Sequence, residues 1–247
     1  TPHSAPEWKH YDARYIRSNT GGGRWSEHTL PERWQIRYRD YLTFNVKPMN
    51  FKHTGVFPEQ AANWDFIRDK VASAGRPVRV LNLFAYSGGA TLAAAAGGAE
   101  VFHVDASKGM VAWAKENAAA SGLSDRPIHW IVDDCGKFIQ REIRRGRRYD
   151  GIIMDPPSYG RGPSGEIWKM ETSFFPFLQE TAKLLTDNPL FVIINSYTTG
   201  LAPSAVSYAS DVVFQSFGGK TVAGELGLPV RQSGLVLPCG ATGRWTL

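Results

Sequence analysis

From about residue 60 onward, apolar residues fall in short runs separated by amphipathic or alanine-rich stretches. The runs VRVLNLF (Val78 to Phe84), AEVFHVD (Ala99 to Asp105), PIHWIVD (Pro127 to Asp133), YDGIIMD (Tyr149 to Asp155) and LFVIIN (Leu190 to Asn195) are strand-sized and bounded by turn residues. Such runs predict buried strands. The stretches QAANWDFIRDKVAS, GATLAAAAGG, SKGMVAWAKENAAASG, KFIQREIRR and Phe174 to Leu185 predict helices. Gly75, Gly97-Gly98 and Gly122 are placed to stop three of these, and Ser107 to cap one. Strands alternating with helices of this length build a parallel, doubly wound α/β sheet. The tail segments KTVAGELGLPV and GLVLPCGATGRW predict two closing strands joined by a turn.

The first 53 residues follow another pattern. Trp8, Tyr11, Tyr15, Trp25, Trp34, Tyr38, Tyr41, Phe44 and Phe51 are interleaved with Arg14, Arg17, Arg24, Arg33, Arg37 and Arg39, and Gly21-Gly22-Gly23 interrupts any regular element. The segment from Trp34 to Val46 predicts a hairpin. Too few aliphatic residues are present for a separate core. The expected organisation is therefore a basic, aromatic β extension over 1–53 and an α/β domain over 54–247.

Composition narrows the class. At 247 residues, 43% hydrophobic and 21% charged, the chain is long and apolar enough for one large domain plus an extension. No apolar run approaches the roughly 18 residues of a membrane span, and the opening TPHSAPEWKH shows no signal-peptide pattern. Cys135 and Cys239 are the only cysteines and form no framework, which fits a reducing cytoplasm. Residues 1–53 carry nine Lys/Arg against five Asp/Glu, while the rest is nearly balanced at 19 against 18. Most of the net charge of +5 thus sits with the aromatic extension, and Arg together with Trp and Tyr suits RNA backbone and bases. Its other reading is a cover for the sheet edge. The run Arg141 to Arg148, with five arginines and one acid, reads equally as an RNA contact or as the solvated end of a helix. The six histidines show no ligand spacing, so no metal is expected.

In open α/β sheets, ligands bind beyond the carboxyl ends of the strands. The first strand runs, past Asn82, into Phe84-Ala85-Tyr86-Ser87-Gly88-Gly89, a turn that lets a ligand approach backbone at a helix start. The second ends in Asp105, about 20 residues on, where a carboxylate suits two ribose hydroxyls. The third ends in Asp133-Asp134 and the fourth in Asp155-Pro156-Pro157-Ser158-Tyr159. Asp105 and Asp134 each also read as helix N-caps. Taken together, acids at three strand ends favour a nucleoside without pyrophosphate, and the turn lacks the full G-x-G-x-x-G of dinucleotide binders.

The segment from Leu81 to Leu123, followed by DDC and IIMDPPSY, resembles the class I S-adenosylmethionine-dependent methyltransferases, and within them the 23S ribosomal RNA group that includes the cytosine-5 enzyme. HTGVFPEQ (His53 to Gln60) resembles that group's turn before the first helix, with His53, Glu59 and Ala61 replacing its Lys, Asp and Arg. The resemblance implies a Rossmann-like, seven-stranded sheet with the last strand antiparallel. It implies that Phe57 and Gln60 close over the cofactor. Phe84, Tyr86, Ser87 and Gly88 would wrap the methionine part, with Asn82 and Ala85 also among the cofactor-binding residues. Asp105 would hold the ribose hydroxyls with Ala106 and Ser107 beside the adenine, Asp134 would accept from the adenine amine with Asp133 also in the cofactor site, and Asp155 and Pro156 would face the methyl group.

Asp155, Pro156, Pro157 and Tyr159 are the candidate catalytic group: an acceptor for an N–H, a rigid loop, and a ring for a base to stack on. The alternative for DPPSY is a packing loop. Cytosine-5 transfer needs a cysteine nucleophile, but the segment after the fifth strand reads Asn195-Ser196-Tyr197-Thr198-Thr199, and Cys135 and Cys239 read as structural. The expectation is therefore S-adenosylmethionine-dependent methylation of an RNA base at nitrogen. The rivals are a protein or small-molecule substrate, or a non-catalytic RNA-binding factor. Gly160 to Glu171 is expected to be a flexible substrate loop.

Overall fold

In the computed structural model, residues 10–19, 22–26, 29–49, 52–161 and 167–247 are described. Trp8, Gly21 and Phe51, and the centre of the expected substrate loop at 162–166, lie outside them. The chain divides into two compact units, Thr1–Val56 and Phe57–Leu247. The boundary expected from the sequence falls three residues earlier.

The first unit holds two antiparallel hairpins: β1 (Tyr15–Arg17) with β2 (Gly23–Trp25), and β3 (Trp34–Tyr38) with β4 (Leu42–Val46). Tyr15 and Trp25 are directly opposed in register and meet edge to face at 5.5 Å. The Trp25 indole N–H donates to the Met49 carbonyl at 2.7 Å. Arg39, in the left-handed region at φ 50°, makes the turn between β3 and β4.

The second unit is a seven-stranded sheet with helices. In chain order its elements are α1 (Ala61–Ala72), β5 (Arg79–Leu83), α2 (Gly89–Ala96), β6 (Glu100–Asp105), α3 (Lys108–Ala120), β7 (Ile128–Val132), α4 (Cys135–Arg144) and β8 (Gly151–Met154). A small hairpin follows, β9 (Tyr159–Arg161) with β10 (Ile167–Lys169), then α5 (Met170–Ala182), β11 (Phe191–Ser196), α6 (Pro203–Val213), β12 (Lys220–Pro229) and β13 (Val236–Thr246). The spatial order is β12-β13-β11-β8-β5-β6-β7. β13 runs antiparallel to both neighbours, while the β11–β8–β5–β6–β7 pairings are parallel.

The central strands are buried along their whole length in β8 and β11, as strands covered on both faces must be. Leu81, Leu83, Ile152, Met154, Val192 and Ile194 project into one core with Phe138, Leu178, Val206 and Trp245 from the helices and β13. The chain leaves β5 toward β6 and β7, then returns to β8 and β11 on the other side. The order therefore reverses between β5 and β8, and a crevice at such a reversal is where open α/β sheets take ligands.

Two elements differ from the sequence expectation. Gly160 to Glu171 is not simply a flexible loop: its described parts form β9 and β10 and the first turn of α5. Helix α6 was not anticipated at all. It begins with Pro203 in its first turn and buries Val206 and Ser210.

Candidate active site

The turn after β5 is shaped by backbone strain. Phe84 and Tyr86 both adopt left-handed conformations, at φ 55° and 49°, which non-glycine residues rarely do. Each is held by a hydrogen bond from its own N–H. Phe84 donates to Cys135 Sγ at 3.3 Å, and Tyr86 donates to Asp105 Oδ2 at 2.9 Å. Gly88, at φ 91°, completes the turn, and a Cβ there would meet the Ala114 Cβ at 3.0 Å. Gly89 opens α2, and a Cβ there would come within 2.8 Å of the Trp64 indole nitrogen. The Ser87 carbonyl is held by the Asn117 side chain at 2.9 Å.

Asn82 lies behind this turn. Its amide donates to Thr91 Oγ1 at 2.9 Å, which contacts His103 Nδ1 at 2.9 Å. All three side chains are buried. Burial lowers the His103 pKa to about 3, so this bracing network is neutral. Phe84 turns its ring toward Trp168 and Phe177, at 5.6 and 5.5 Å.

Asp105 ends β6. Its two oxygens accept the N–H groups of Tyr86 and Ser107, at 2.9 and 2.8 Å. Each carboxylate oxygen has two lone pairs, so capacity remains for two hydroxyl donors. Burial raises the Asp105 pKa, partly offset by these two hydrogen bonds. Ala106 follows, and the Ser107 hydroxyl caps α3 through the Met110 N–H at 3.3 Å. Asp134 caps α4 by accepting the Lys137 N–H at 2.9 Å, while Asp133 accepts the Asp134 N–H and pairs with Arg141.

Asp155 immediately follows β8, on the other side of the reversal. Burial, with the nearby Glu59 carboxylate adding repulsion, pushes its pKa up to about 7. Glu59 and Gln60 lie in a 3-10 turn at Pro58–Gln60 and are themselves buried. Gln60 Nε2 donates to the Tyr197 hydroxyl at 2.9 Å, and Tyr197 also shares a hydrogen bond with Glu59. Burial and the charges of Asp155 and Glu59 keep that phenol protonated. Phe57 lies between Tyr86 and Tyr197, with ring separations of 5.5 and 5.6 Å.

The Pro156-Pro157-Ser158 loop is tied at three points. The Trp168 indole donates to the Pro157 carbonyl at 2.6 Å, the Thr198 hydroxyl donates to Ser158 Oγ at 2.8 Å, and the Met170 N–H donates to the Ser158 carbonyl at 3.1 Å. Tyr159, first residue of β9, is 52% exposed.

The sequence candidates Phe57, Gln60, Tyr86, Asp105 and Asp155 thus meet at the carboxyl edge, whereas Asn82 braces the turn from within. Glu59, Tyr197 and Thr198 complete the arrangement and were not singled out as site residues; Trp168, from the expected substrate loop, joins them. Their signal is tertiary: Thr198 lies 40 positions from Ser158 and Tyr197 137 from Gln60, Trp168 reaches Pro157 across the β9–β10 hairpin, and a 3-10 turn draws in Glu59.

The residues suit a cationic nucleoside. Two carboxyls with raised pKa values, Asp105 and Asp155, stand at the carboxyl ends of β6 and β8, and neither has an ion-pair partner among the described residues. No group of three or more His, Cys, Asp or Glu among the described residues is placed to hold a metal. Neither thiol is activated: Cys135 is buried and raised by burial, and Cys239 is raised by burial and by Glu59.

Comparison with known proteins bears on the fold and the family. Residues 4–200 match the model of the family described as S-adenosylmethionine-dependent methyltransferase. A SAM-dependent methyltransferase from Agrobacterium tumefaciens superposes with a TM-score of 0.90 and 37% identity, over 97% of this chain and 78% of that one. A Streptococcus mutans protein, solved as a candidate SAM-dependent methyltransferase, superposes at 0.76 with 19% identity, over 97% of this chain and 62% of that one, and speaks for the fold alone. Among curated sequences, the ribosomal RNA large subunit methyltransferase K/L of Shewanella frigidimarina is 32% identical over 155 residues, which is 62% of this chain and 21% of that protein. The chain therefore spans about a fifth of the length of the curated relatives it matches.

Proposed function

Since the chain belongs to the S-adenosylmethionine-dependent methyltransferases, we propose that it methylates a base of ribosomal RNA at nitrogen. The observation that carries this reading is Asp155. It is a carboxyl with a pKa near 7 at the end of β8, followed by a rigid Pro-Pro loop and an exposed tyrosine, with no activated thiol on the chain. The RNA part rests on the K/L relatives and on the basic, aromatic first 53 residues.

The cofactor, when bound, supplies a methyl group on a cationic sulfonium. The residues of the chain do the rest. Asp105 uses its remaining lone pairs for ribose hydroxyls, and the N–H groups opening α2 lie beside the same turn. Asp155 accepts an N–H of the target base, aims the nitrogen lone pair, and takes the proton the nitrogen must lose. Tyr159 gives the base a stacking surface, and the ties from Trp168, Thr198 and Met170 hold the loop in register with Asp155. Catalysis is then chiefly positioning. An S-adenosylmethionine site at this edge also accounts for the two unpaired, raised carboxyls, because a nearby cation restores their ionised form.

The test uses labelled S-adenosylmethionine with ribosomal RNA and ribosomal subunits from cells lacking the gene. An N-methylated base identified by mass spectrometry is the expected product. 5-Methylcytosine would overturn the direct-transfer argument. Labelling of protein or small molecules with RNA untouched would overturn the substrate.

A further inference from the structure

A cavity of about 430 Å3 lies between α4 and the strands β6 and β7. Its lining includes neither Asp105 nor Asp155, and its size is in the range of ligand pockets. Phe102 and His129 form an aromatic surface in it. Their rings stack at 4.3 Å and 25°, and His129 remains 49% exposed, so the imidazole is backed by Phe102 and open to solvent. His129 is fixed in plane by Glu100, 2.8 Å from Nε2.

Arginines line the other side. Glu142, only 1% exposed, gathers Arg145 at 3.0 Å and Arg147 at 3.7 Å, and accepts the Tyr149 hydroxyl at 2.6 Å. Arg141, paired with Asp133, is the third. Each guanidinium has five N–H donors, and these contacts use a minority of them. Arg145 and Arg147 are 58% and 45% exposed. A solvated helix end would explain the arginines. It would not explain why a buried carboxylate draws two of them together beside an open, stacked imidazole.

We propose that this cavity binds one nucleotide of a single-stranded RNA segment, with its base on His129 and its phosphate between Arg145 and Arg147. Planar guanidiniums suit a phosphate, and an imidazole suits an unstacked base. Helix α4 runs from Asp134, at the cofactor edge, to Arg144, a rise of about 15 Å. A strand of a few nucleotides can therefore reach both places. The proposal rests on the RNA reading for the identity of the strand, while the nucleotide chemistry stands on the cavity itself.

The experiment uses the full chain and a labelled oligouridylate carrying 4-thiouridine. Photocrosslinks are expected on peptides containing Phe102, His129 or Arg145. Uridine monophosphate in excess should compete for them. Arg145→Lys together with Arg147→Lys keeps both charges over Glu142 but loses the planar fork, and should weaken oligonucleotide affinity about fivefold or more with cofactor binding unchanged. Crosslinks confined to other peptides would overturn the site, and because they come from the unsubstituted protein they do not depend on the variant folding. Tight monophosphate binding that the oligonucleotide cannot displace would overturn the RNA strand as occupant. Methyl transfer to ribosomal RNA, measured alongside, separates the two readings: transfer with no crosslink at the cavity rejects only the cavity, and absence of transfer with the crosslink retained rejects only the reaction.

Discussion

Asp155 carries two separable expectations. In Asp155→Ala, methyl transfer should fall by orders of magnitude, with cofactor affinity held within about tenfold, as transfer assays and calorimetry would show. Equal loss of both would make Asp155 a binding residue. Its raised pKa also makes it a pH-dependent burden on the fold. A carboxyl near 7 in the folded chain, against 3.8 ordinarily, binds its proton more tightly folded than unfolded. Its stabilising influence is therefore greatest at low pH and is lost as pH rises through about 7. Asp155→Asn should be more stable than the parent at pH 8 by about 1–3 kcal/mol, with the gain vanishing near pH 4, as urea midpoints at the two pH values would report. Asp105→Ala should weaken cofactor binding instead, about tenfold or more, since it removes both the ribose acceptor and the anchor of the Tyr86 N–H. Unchanged affinity would remove the ribose assignment. The acids themselves were legible because each ends an apolar run. Glu59 and Tyr197 were not, because their approach to Asp155 and Gln60 comes only from the folded turn and the end of β11.

Among elements, the junction of β5 and α2 is the most constrained. Gly89→Ala would drive a methyl group into the buried Trp64 ring, so the variant should lose about 1–3 kcal/mol in denaturant unfolding. A loss below about 0.5 kcal/mol would mean that Trp64 gives way. The glycines were readable as a turn, but the reason for Gly89 is a side chain on another helix. Most strands lay within a residue or two of their expected limits, since an apolar run and its bounding turn are local signals. Helix α6 was missed for a physical reason. Val206, Ser210 and Phe214 face inward while Tyr208 and Val212 are exposed at 71% and 64%, which blurs the apolar stripe. The β9–β10 hairpin was hidden because its glycine-rich sequence has little strand propensity, and Trp168 holds it by packing on Phe84 and Phe177.

For the whole molecule, a net charge of +5 concentrated in the first 53 residues predicts salt-sensitive RNA binding. Affinity for RNA should fall at least about tenfold between 50 and 200 mM salt, each neutralised phosphate adding to the slope. A flat salt response would favour a protein or small-molecule substrate. The sequence by itself determined the alternation of strands and helices, and with it the doubly wound sheet and its acidic carboxyl edge, because burial period and turn chemistry are written locally along the chain. The family resemblance carried in those same residues gave the antiparallel last strand that the sheet has. Only the tertiary structure decided which groups act on which. Asn82 turned inward to Thr91, Asp133 paired with Arg141, Glu59 came beside Asp155, and α4 closed an arginine-lined cavity over Phe102 and His129. Those outcomes depend on charges and rings brought together across the sheet, where desolvation and packing, rather than spacing in sequence, set what each side chain does.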